Sequence, residues 1–354
     1  MTTVPTRLLD ADDIRRSLSV RDLTDQAQGP HAMQILLGKV IEALREVWGC
    51  EVLIHREGPI VSVEENYDAL HYPPEGASRE ARYTRYLKGR TILRTQTSVM
   101  IPGLLRGLAK RREPWSDVLL VCPGLTYRRD AIDRLHTGEP HQVDLWRVKK
   151  GPTLSVEDLS EMVGLLASVA LPNHEVRTVS AEHPYTLNGL HSKHVSGLAM
   201  GLGLDRLLML RKGMDDIRLL RSADERVAHQ MLDLSPYRPV SHQPAIARDL
   251  SIAVPEDRTA EELGDRVREA LGQRSELLES VEVLSQTPYC DLPPTAVERL
   301  GISSGQKNAL LHVVLRDLER ALTDEEANEL RDEVYAAVHE GAAWQWASRS
   351  AQTT

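Results

Sequence analysis

The residues of this chain best suited to chemistry are arginines set near short glycine runs. Arg128 stands in Tyr127-Arg-Arg-Asp-Ala-Ile-Asp-Arg-Leu-His136, and Arg206 follows Gly197-Leu-Ala-Met-Gly-Leu-Gly-Leu-Asp205. A guanidinium is a planar, permanently charged fork that meets phosphate oxygens two at a time. Positioned arginines therefore suit a reaction in which negative charge grows on phosphorus. Gly201 and Gly203 carry no side chain, which lets the backbone pass close to a bound group before a helix begins. They are not a dinucleotide fingerprint, because the third glycine position holds Arg206. Four histidines, His174, His183, His191 and His194, lie near one another, and His-x-x-His is a spacing a metal can use. No cysteine or carboxylate completes a persuasive ligand set with them, so they read as loop histidines and no metal is assigned. Cys50, Cys122 and Cys290 are too scattered for a disulfide framework and read as small packed hydrophobes.

The elements that must position these groups are legible in the hydrophobic pattern. Met33, Leu36, Leu37, Val40, Ile41, Leu44 and Val47 recur at three and four residues, a helix with one buried stripe that Gly49 ends. Strand-like runs follow at 51–55, 118–122 and 142–148, the last alternating as a half-buried antiparallel strand does. A helix over 156–169 opens on Ser155 as its N-cap. Residues 197–211 form a glycine-rich entry to an apolar helix, whose Leu204, Leu207, Leu208 and Leu210 read as core. Three prolines mark 235–244 as a linker. Beyond it the expected order is a strand (248–254), a helix (260–271), strands (278–284 and 310–316) and a helix (323–339). That is a split βαβ, ferredoxin-like sandwich if 342–348 supplies the last strand. The fold class is α+β, with domains at 29–234 and 245–348 and an N-terminal extension at 1–28.

Composition narrows the function. The chain has 354 residues, 41% apolar and 27% charged, which excludes long disorder, and no run is long and apolar enough for a membrane span. The first twenty residues lack an apolar core and carry Asp10, Asp12 and Asp13, so they read as neither signal nor transit peptide, and the cytoplasm is the expected address. There is no Phe, although 9 Tyr and 5 Trp are present. The net charge of −9 is uneven: residues 1–234 carry 31 basic and 31 acidic groups, residues 235–354 carry 12 and 21. A domain gripping a phosphate backbone needs clustered Lys and Arg, the opposite of that C-terminal balance.

Three segments together resemble the class II aminoacyl-tRNA synthetases, specifically the catalytic subunit of phenylalanyl-tRNA synthetases. Gly58-Pro-Ile-Val-Ser-Val-Glu-Glu-Asn-Tyr-Asp-Ala-Leu70 is similar to that family's first motif. Residues 127–136 with Pro140-His-Gln-Val-Asp144 are similar to the second, and 196–206 running on to Arg221 to the third. Pro244-Ala-Ile-Ala-Arg-Asp-Leu250 and Leu322-Thr-Asp-Glu-Glu326 resemble the ferredoxin-fold anticodon-binding domain. The resemblance runs over about residues 20–340. It implies a class II antiparallel sheet flanked by helices, and ATP and Mg2+ as cofactors. Arg128 would contact the α-phosphate and Arg206 the γ-phosphate. His136, Gly201 and Gly203 would meet the nucleotide, and Gln142 and Asp144 the substrate's α-amino group. Leu93-Arg-Thr-Gln-Thr-Ser98 is similar to the family's Thr-His-Thr-Ser segment, with Gln96 in place of His and Ser98 kept. His183-Pro-Tyr185 stands where a Phe-Pro-Phe segment lines the phenylalanine pocket, so the substrate side chain is expected to be more polar.

Only Leu187 to Val195 separate that segment from the third motif, too short for the two strands the family has there. The pocket is therefore open, rebuilt or completed by a partner chain. Three functions are compatible with these residues. The first is an ATP-dependent ligase charging tRNA with an amino acid that need not be Phe. The second is an amino-acid- or carboxylate-activating ligase without tRNA, which the acidic C-terminal part suits. The third is a non-catalytic relic. Dimers through the first motif are what the resemblance implies.

Overall fold

A computed structural model of the chain describes residues 8–81, 83–129, 133–172, 174–176, 195–240 and 243–344. The chain divides into two compact units. The first is made by residues up to Arg128 together with Glu139–Tyr237, the second by Arg129–Gly138 together with Arg238 onward.

The first unit opens with α1 (Ala11–Ser19), capped by Asp10, whose carboxylate accepts from the backbone N–H of Asp12 and of Asp13. Leu9, Ile14 and Val20 around it pack on Leu87, Leu93, Leu125 and Tyr127. Helix α2 (Ala32–Trp48) buries Met33, Leu36, Leu37, Val40, Ile41 and Leu44 along one stripe and stops at Gly49 with φ 60°. Each large side chain in that stripe contributes roughly 1.5–3 kcal/mol of burial. Next come β1 (Glu51–Ile54), β2 (Ile60–Ser62), α3 (Val63–Asn66), β3 (Thr91–Leu93) and α4 (Ile101–Lys110). After them run β4 (Asp117–Leu125), β5 (His141–Lys150), α5 (Val156–Ala170), β6 (Val195–Gly203), α6 (Leu204–Lys212) and the single turn α7 (Glu225–Ala228). Ser155 caps α5 in a capping box with Asp158.

The main sheet has the order β1-β4-β5-β6, with β1 parallel to β4 and the other pairs antiparallel. One face carries Val118, Leu120, Cys122, Trp146 and Val148 against Val99, Met100, Ile101 and Leu108. The opposite face carries Leu119, Val121, Val143 and Leu145, equally buried, while α2 lies against α5 and α6.

Several expectations change. Strand β5 is buried on both faces for most of its length rather than half-buried. Its polar members are accommodated individually: the Arg147 guanidinium bonds Asp117 at 3.1 and 2.7 Å and lies 4.2 Å from the Trp48 ring centroid. Residues 197–203 are extended as part of β6, and the helix begins only at Leu204. Glycine reads locally as loop, and strand pairing overrides that preference. Leu204 and Leu208 are core, but Leu210 is exposed, because it falls on the outer side of the helix. Cys50 and Cys122 are buried, whereas Cys290 is exposed.

The second unit contains β7 (Ile246–Pro255), α8 (Ala260–Leu271), β8 (Leu278–Pro288), α9 (Pro294–Leu300), β9 (Gln306–Leu315) and α10 (Asp324–Val338). Its sheet order is β7-β9-β8, antiparallel throughout. Alternate residues of β7 and β9 face α8 and α10 in one core that includes Leu250, Ile252, Leu311, Val313, Leu330 and Tyr335. Helix α9 is an addition to the expected order; its Leu300 seats beside Ile302 and Ala253. The expected last strand is not seen at residues 342–344, which are bends at 342 and 343 and irregular at 344, and 345–348 lie outside the described residues. Among the described residues no helix is long and apolar enough to cross a membrane, and no group of three His, Cys, Asp or Glu side chains could hold a metal ion.

Candidate active site

Strand register determines which residues share a patch of the sheet. Cys122, Asp144 and Gly201 lie in one row across β4, β5 and β6, and Gly124, Gln142 and Gly203 in the next on the same face. Gln142 therefore has a glycine on either side. A Cβ at Gly201 would stand 3.3 Å from the Gln142 amide nitrogen and 4.0 Å from an Asp144 carboxylate oxygen, so glycine there keeps that corner clear. Gly203 faces open space and is the N-cap of α6, which carries Arg206 one turn on.

Arg128 leaves the end of β4 at the surface. Its Nε donates to the Thr95 carbonyl at 2.8 Å, and one terminal nitrogen donates to Gln142 Oε1 at 3.4 Å. Its neighbour in space is the segment before α4. There Thr97 Oγ1 donates to Asp144 Oδ2 at 2.6 Å and Ser98 Oγ to Oδ1 at 2.9 Å, with Trp146 Nε1 3.5 Å from Oδ1. Burial pushes the Asp144 carboxyl above its ordinary value, against the pull of those donors and of the Arg128 charge. The thiol of Cys122 in the same row is pushed up to about 12, first by burial and then by Asp144.

Gln96 is buried and fixed at both ends of its amide. Oε1 accepts from the Tyr72 hydroxyl at 2.7 Å, and Nε2 donates to the Asn66 carbonyl at 3.0 Å. Asn66 in turn bonds Thr95 through both side-chain atoms, at 2.8 and 3.1 Å. Beneath the segment, the buried Arg94 donates to the carbonyls of Leu125 (2.7 Å) and Glu57 (2.9 Å). A Cβ at Gly124 would stand 2.3 Å from the Arg94 guanidinium, so the glycine makes room for it.

Of the residues singled out in the sequence, Gln96, Ser98, Arg128, Gln142, Asp144, Gly201 and Gly203 thus gather at one end of the sheet. Arg206 is exposed in the first turn of the adjoining α6. His136 is not in that group. It belongs to the Arg129–Gly138 segment of the second unit, where its Nδ1 lies 2.6 Å from Asp133 and the buried Arg129 pairs with Asp265 at 2.9 Å. His183 and Tyr185 lie outside the described residues, as do His191 and His194, while His174 is exposed. Tyr72, Asn66, Thr95 and Thr97 are the neighbours that sequence reasoning missed; the two threonines flank Gln96 in the segment already singled out.

A mainly antiparallel sheet thus carries a glycine-lined edge, an exposed arginine beyond the end of one strand and another in the first turn of the next helix. Residues 23–191 and 187–231 match the tRNA synthetases class II core domain (F), and residues 241–345 match the ferredoxin-fold anticodon binding domain. The chain belongs to the class II tRNA synthetase family, in its F branch. It is 28% identical over 317 residues to a phenylalanine–tRNA ligase, chloroplastic/mitochondrial, of Arabidopsis thaliana, covering 78% of this chain and 68% of that one. Phenylalanine–tRNA ligase alpha subunits are also similar. That of Prochlorococcus marinus strain MIT 9313 is 31% identical over 204 residues (49% of this chain, 58% of the subunit). That of Desulfitobacterium hafniense is 29% identical over 247 residues (57% and 70%). This chain therefore spans about 58 to 70% of the length of these relatives.

Proposed function

We propose that the chain is an ATP-dependent, AMP-forming ligase of the phenylalanyl-tRNA synthetase type that adenylates an amino acid and passes it to tRNA. The observation that carries this reading is the convergence of Arg128, Gln142 and the Asp144–Thr97–Ser98 cluster at one end of the sheet, with Arg206 opening the helix that follows Gly203. In this reaction a substrate carboxylate oxygen attacks the α-phosphorus of ATP and pyrophosphate leaves. Negative charge builds on the phosphorus oxygens, so a positioned guanidinium lowers the barrier more than a general base would. Arg128 has that role at the α-phosphate, and Arg206 holds the γ-phosphate that departs within pyrophosphate. Asp144 and Gln142 take the α-ammonium group, orienting the carboxylate for in-line attack. Ser98 and Gln96 belong to the amino-acid side of the pocket, and Gly201 and Gly203 to the nucleotide side. Magnesium would arrive on the ATP phosphates. Among the described residues no three candidate ligands stand together to hold it, and no step is assigned to a protein-bound ion.

A second reading, activation of an amino acid or related carboxylate without tRNA, is favoured by one specific feature. On the strand residues of the second unit that alternate with its core, His312 is flanked in register by Asp249 and Glu282, with Nδ1 2.6 Å from Asp249. Carboxylates on both sides of the middle strand repel a phosphate backbone.

Pyrophosphate exchange across a panel of amino and carboxylic acids, followed by tRNA gel shifts at stated salt, tests both. Exchange with tRNA binding supports the first reading, and exchange without it the second. Arg128→Ala and Arg206→Ala should each abolish exchange; retained activity refutes their assigned roles. Absence of exchange with every acid refutes both readings.

A further inference from the structure

Behind the candidate site, one buried imidazole joins three separate parts of the first unit. His141, the first residue of β5, is fully buried and uses both ring nitrogens and its backbone N–H. Its Nδ1 lies 2.8 Å from Asp205 Oδ1, and its backbone N–H donates to Oδ2 of the same carboxylate at 2.6 Å. Its Nε2 meets the backbone N–H of Leu23 at 2.9 Å. A backbone amide can only donate, so Nε2 accepts, and the ring proton sits on Nδ1 and is donated to Asp205. Asp205 is itself 2% exposed, and each of its oxygens meets a nitrogen of His141. Burial alone would push its carboxyl up, but the contact with His141 and the charge of Arg221 outweigh that and hold it below the usual range. Arg221 also donates to the Glu139 carbonyl at 2.8 Å, closing the knot from the segment after α6.

The arrangement goes further than ordinary core packing because each partner has a site residue as its next neighbour in the chain. The residue after His141 is Gln142, which Arg128 touches, and the residue after Asp205 is Arg206. Gln142 is also the register partner of Gly203, the N-cap of α6. The pair therefore links the two backbones one residue behind the groups proposed to meet substrate and nucleotide. We propose that His141 and Asp205 are positioning residues that fix the first turn of α6, and so Arg206, relative to Gln142 and Arg128. Their contribution is then to recognition of the nucleotide's terminal phosphates. This rests on the nucleotide role given to Arg206 above.

A positioning role predicts a selective defect. Binding of ATP with magnesium and of AMP is measured by calorimetry on the full chain, wild type and variants. His141→Leu, which removes both ring hydrogen bonds, should weaken ATP roughly 10- to 100-fold while leaving AMP within about twofold, because only ATP reaches Arg206. His141→Gln, whose amide can donate to Asp205 and accept from Leu23, should restore ATP affinity to within about threefold of wild type. Equal losses for ATP and AMP, or unchanged ATP affinity, overturn the proposal. If His141→Leu does not fold, Asp205→Asn serves in its place, since it keeps shape and one of the two contacts. Hydrogen exchange of residues 203–208 in the ligand-free protein gives a second, ATP-independent measure. It should quicken in His141→Leu and Asp205→Asn but not in His141→Gln, and unchanged exchange in the first two also overturns the proposal. A wild-type chain that binds neither nucleotide refutes the ligase reading, and the positioning role is then decided by the exchange data alone.

Discussion

Replacing Asp144 with Asn separates what the residue does for function from what it does for the fold. The carboxylate is buried, accepts from Thr97 and Ser98 and carries an elevated pKa because desolvation is its largest influence. Asn keeps the shape and one acceptor oxygen, and the second hydroxyl can rotate to accept from the new amide N–H. Removing a desolvated charge relieves a cost that the two hydroxyls only partly offset. The melting temperature of Asp144→Asn should therefore be no lower than that of the wild type. The same burial sets the direction with pH. The native state takes up its proton above the unfolded value of 3.8, so this group's share of stability is full below 3.8 and falls as pH rises through the raised native value, and the variant lacks that fall. Function moves the other way. A charge-assisted hydrogen bond to the substrate ammonium is worth about 1.5–3 kcal/mol, so KM for the amino acid in pyrophosphate exchange should rise roughly 10- to 150-fold. The KM for ATP should stay near its wild-type value. An unchanged amino-acid KM would refute the ammonium assignment, and a collapse in stability would refute the account of the buried charge.

Two further predictions concern the scaffold. Gly301 has φ 58°, and a Cβ there would stand 2.1 Å from the backbone nitrogen of Ala343. Gly301→Ala should then cost about 1–3 kcal/mol and lower the melting temperature of the second unit by at least about 4 °C in calorimetry; an unchanged melt would show that the 340–344 segment does not pack there. His31 is buried, and burial lowers its pKa to about 4 from 6.5. As acid is added the unfolded chain protonates first, so the stability this group supports is present above pH 6.5 and is lost as pH falls towards 4, by at most roughly 3 kcal/mol. His31→Asn keeps an acceptor for the Met33 N–H at the start of α2 and should flatten that part of the pH profile in urea melts. A slope equal to the wild type's would refute it.

Much of this architecture is legible in the amino acids because local signals and tertiary packing agree. The stripe of α2 ends at Gly49, Ser155 and Thr323 start their helices as capping boxes, and α8 spans the expected Ala260–Leu271. Elements are misread where partners decide. Glycines 197, 201 and 203 suggest only the entry to a helix, yet pairing with β5 makes them strand. The alternation of 142–148 suggests one wet face, but Thr97, Ser98 and Asp117 supply partners that allow Asp144 and Arg147 to be buried. The site is legible to the extent that its residues fall in contiguous motifs. Arg128, Gln142 and Asp144 can be picked out, whereas Tyr72 and Asn66 reach Gln96 from 24 and 30 residues away and leave no local trace. His136 is the converse case, adjacent to the motif in sequence but grouped with the other unit.

The Ser98 hydroxyl imposes a polarity on anything that settles beside it. Its single hydrogen goes to Asp144, as that of the fully buried Thr97 does from the protein side. What remains towards an arriving molecule is an oxygen lone pair backed by the Asp144 carboxylate. Such a surface favours a visitor that brings its own protons. A keto acid would meet an acceptor with nothing to offer it, while an amine would find one in place.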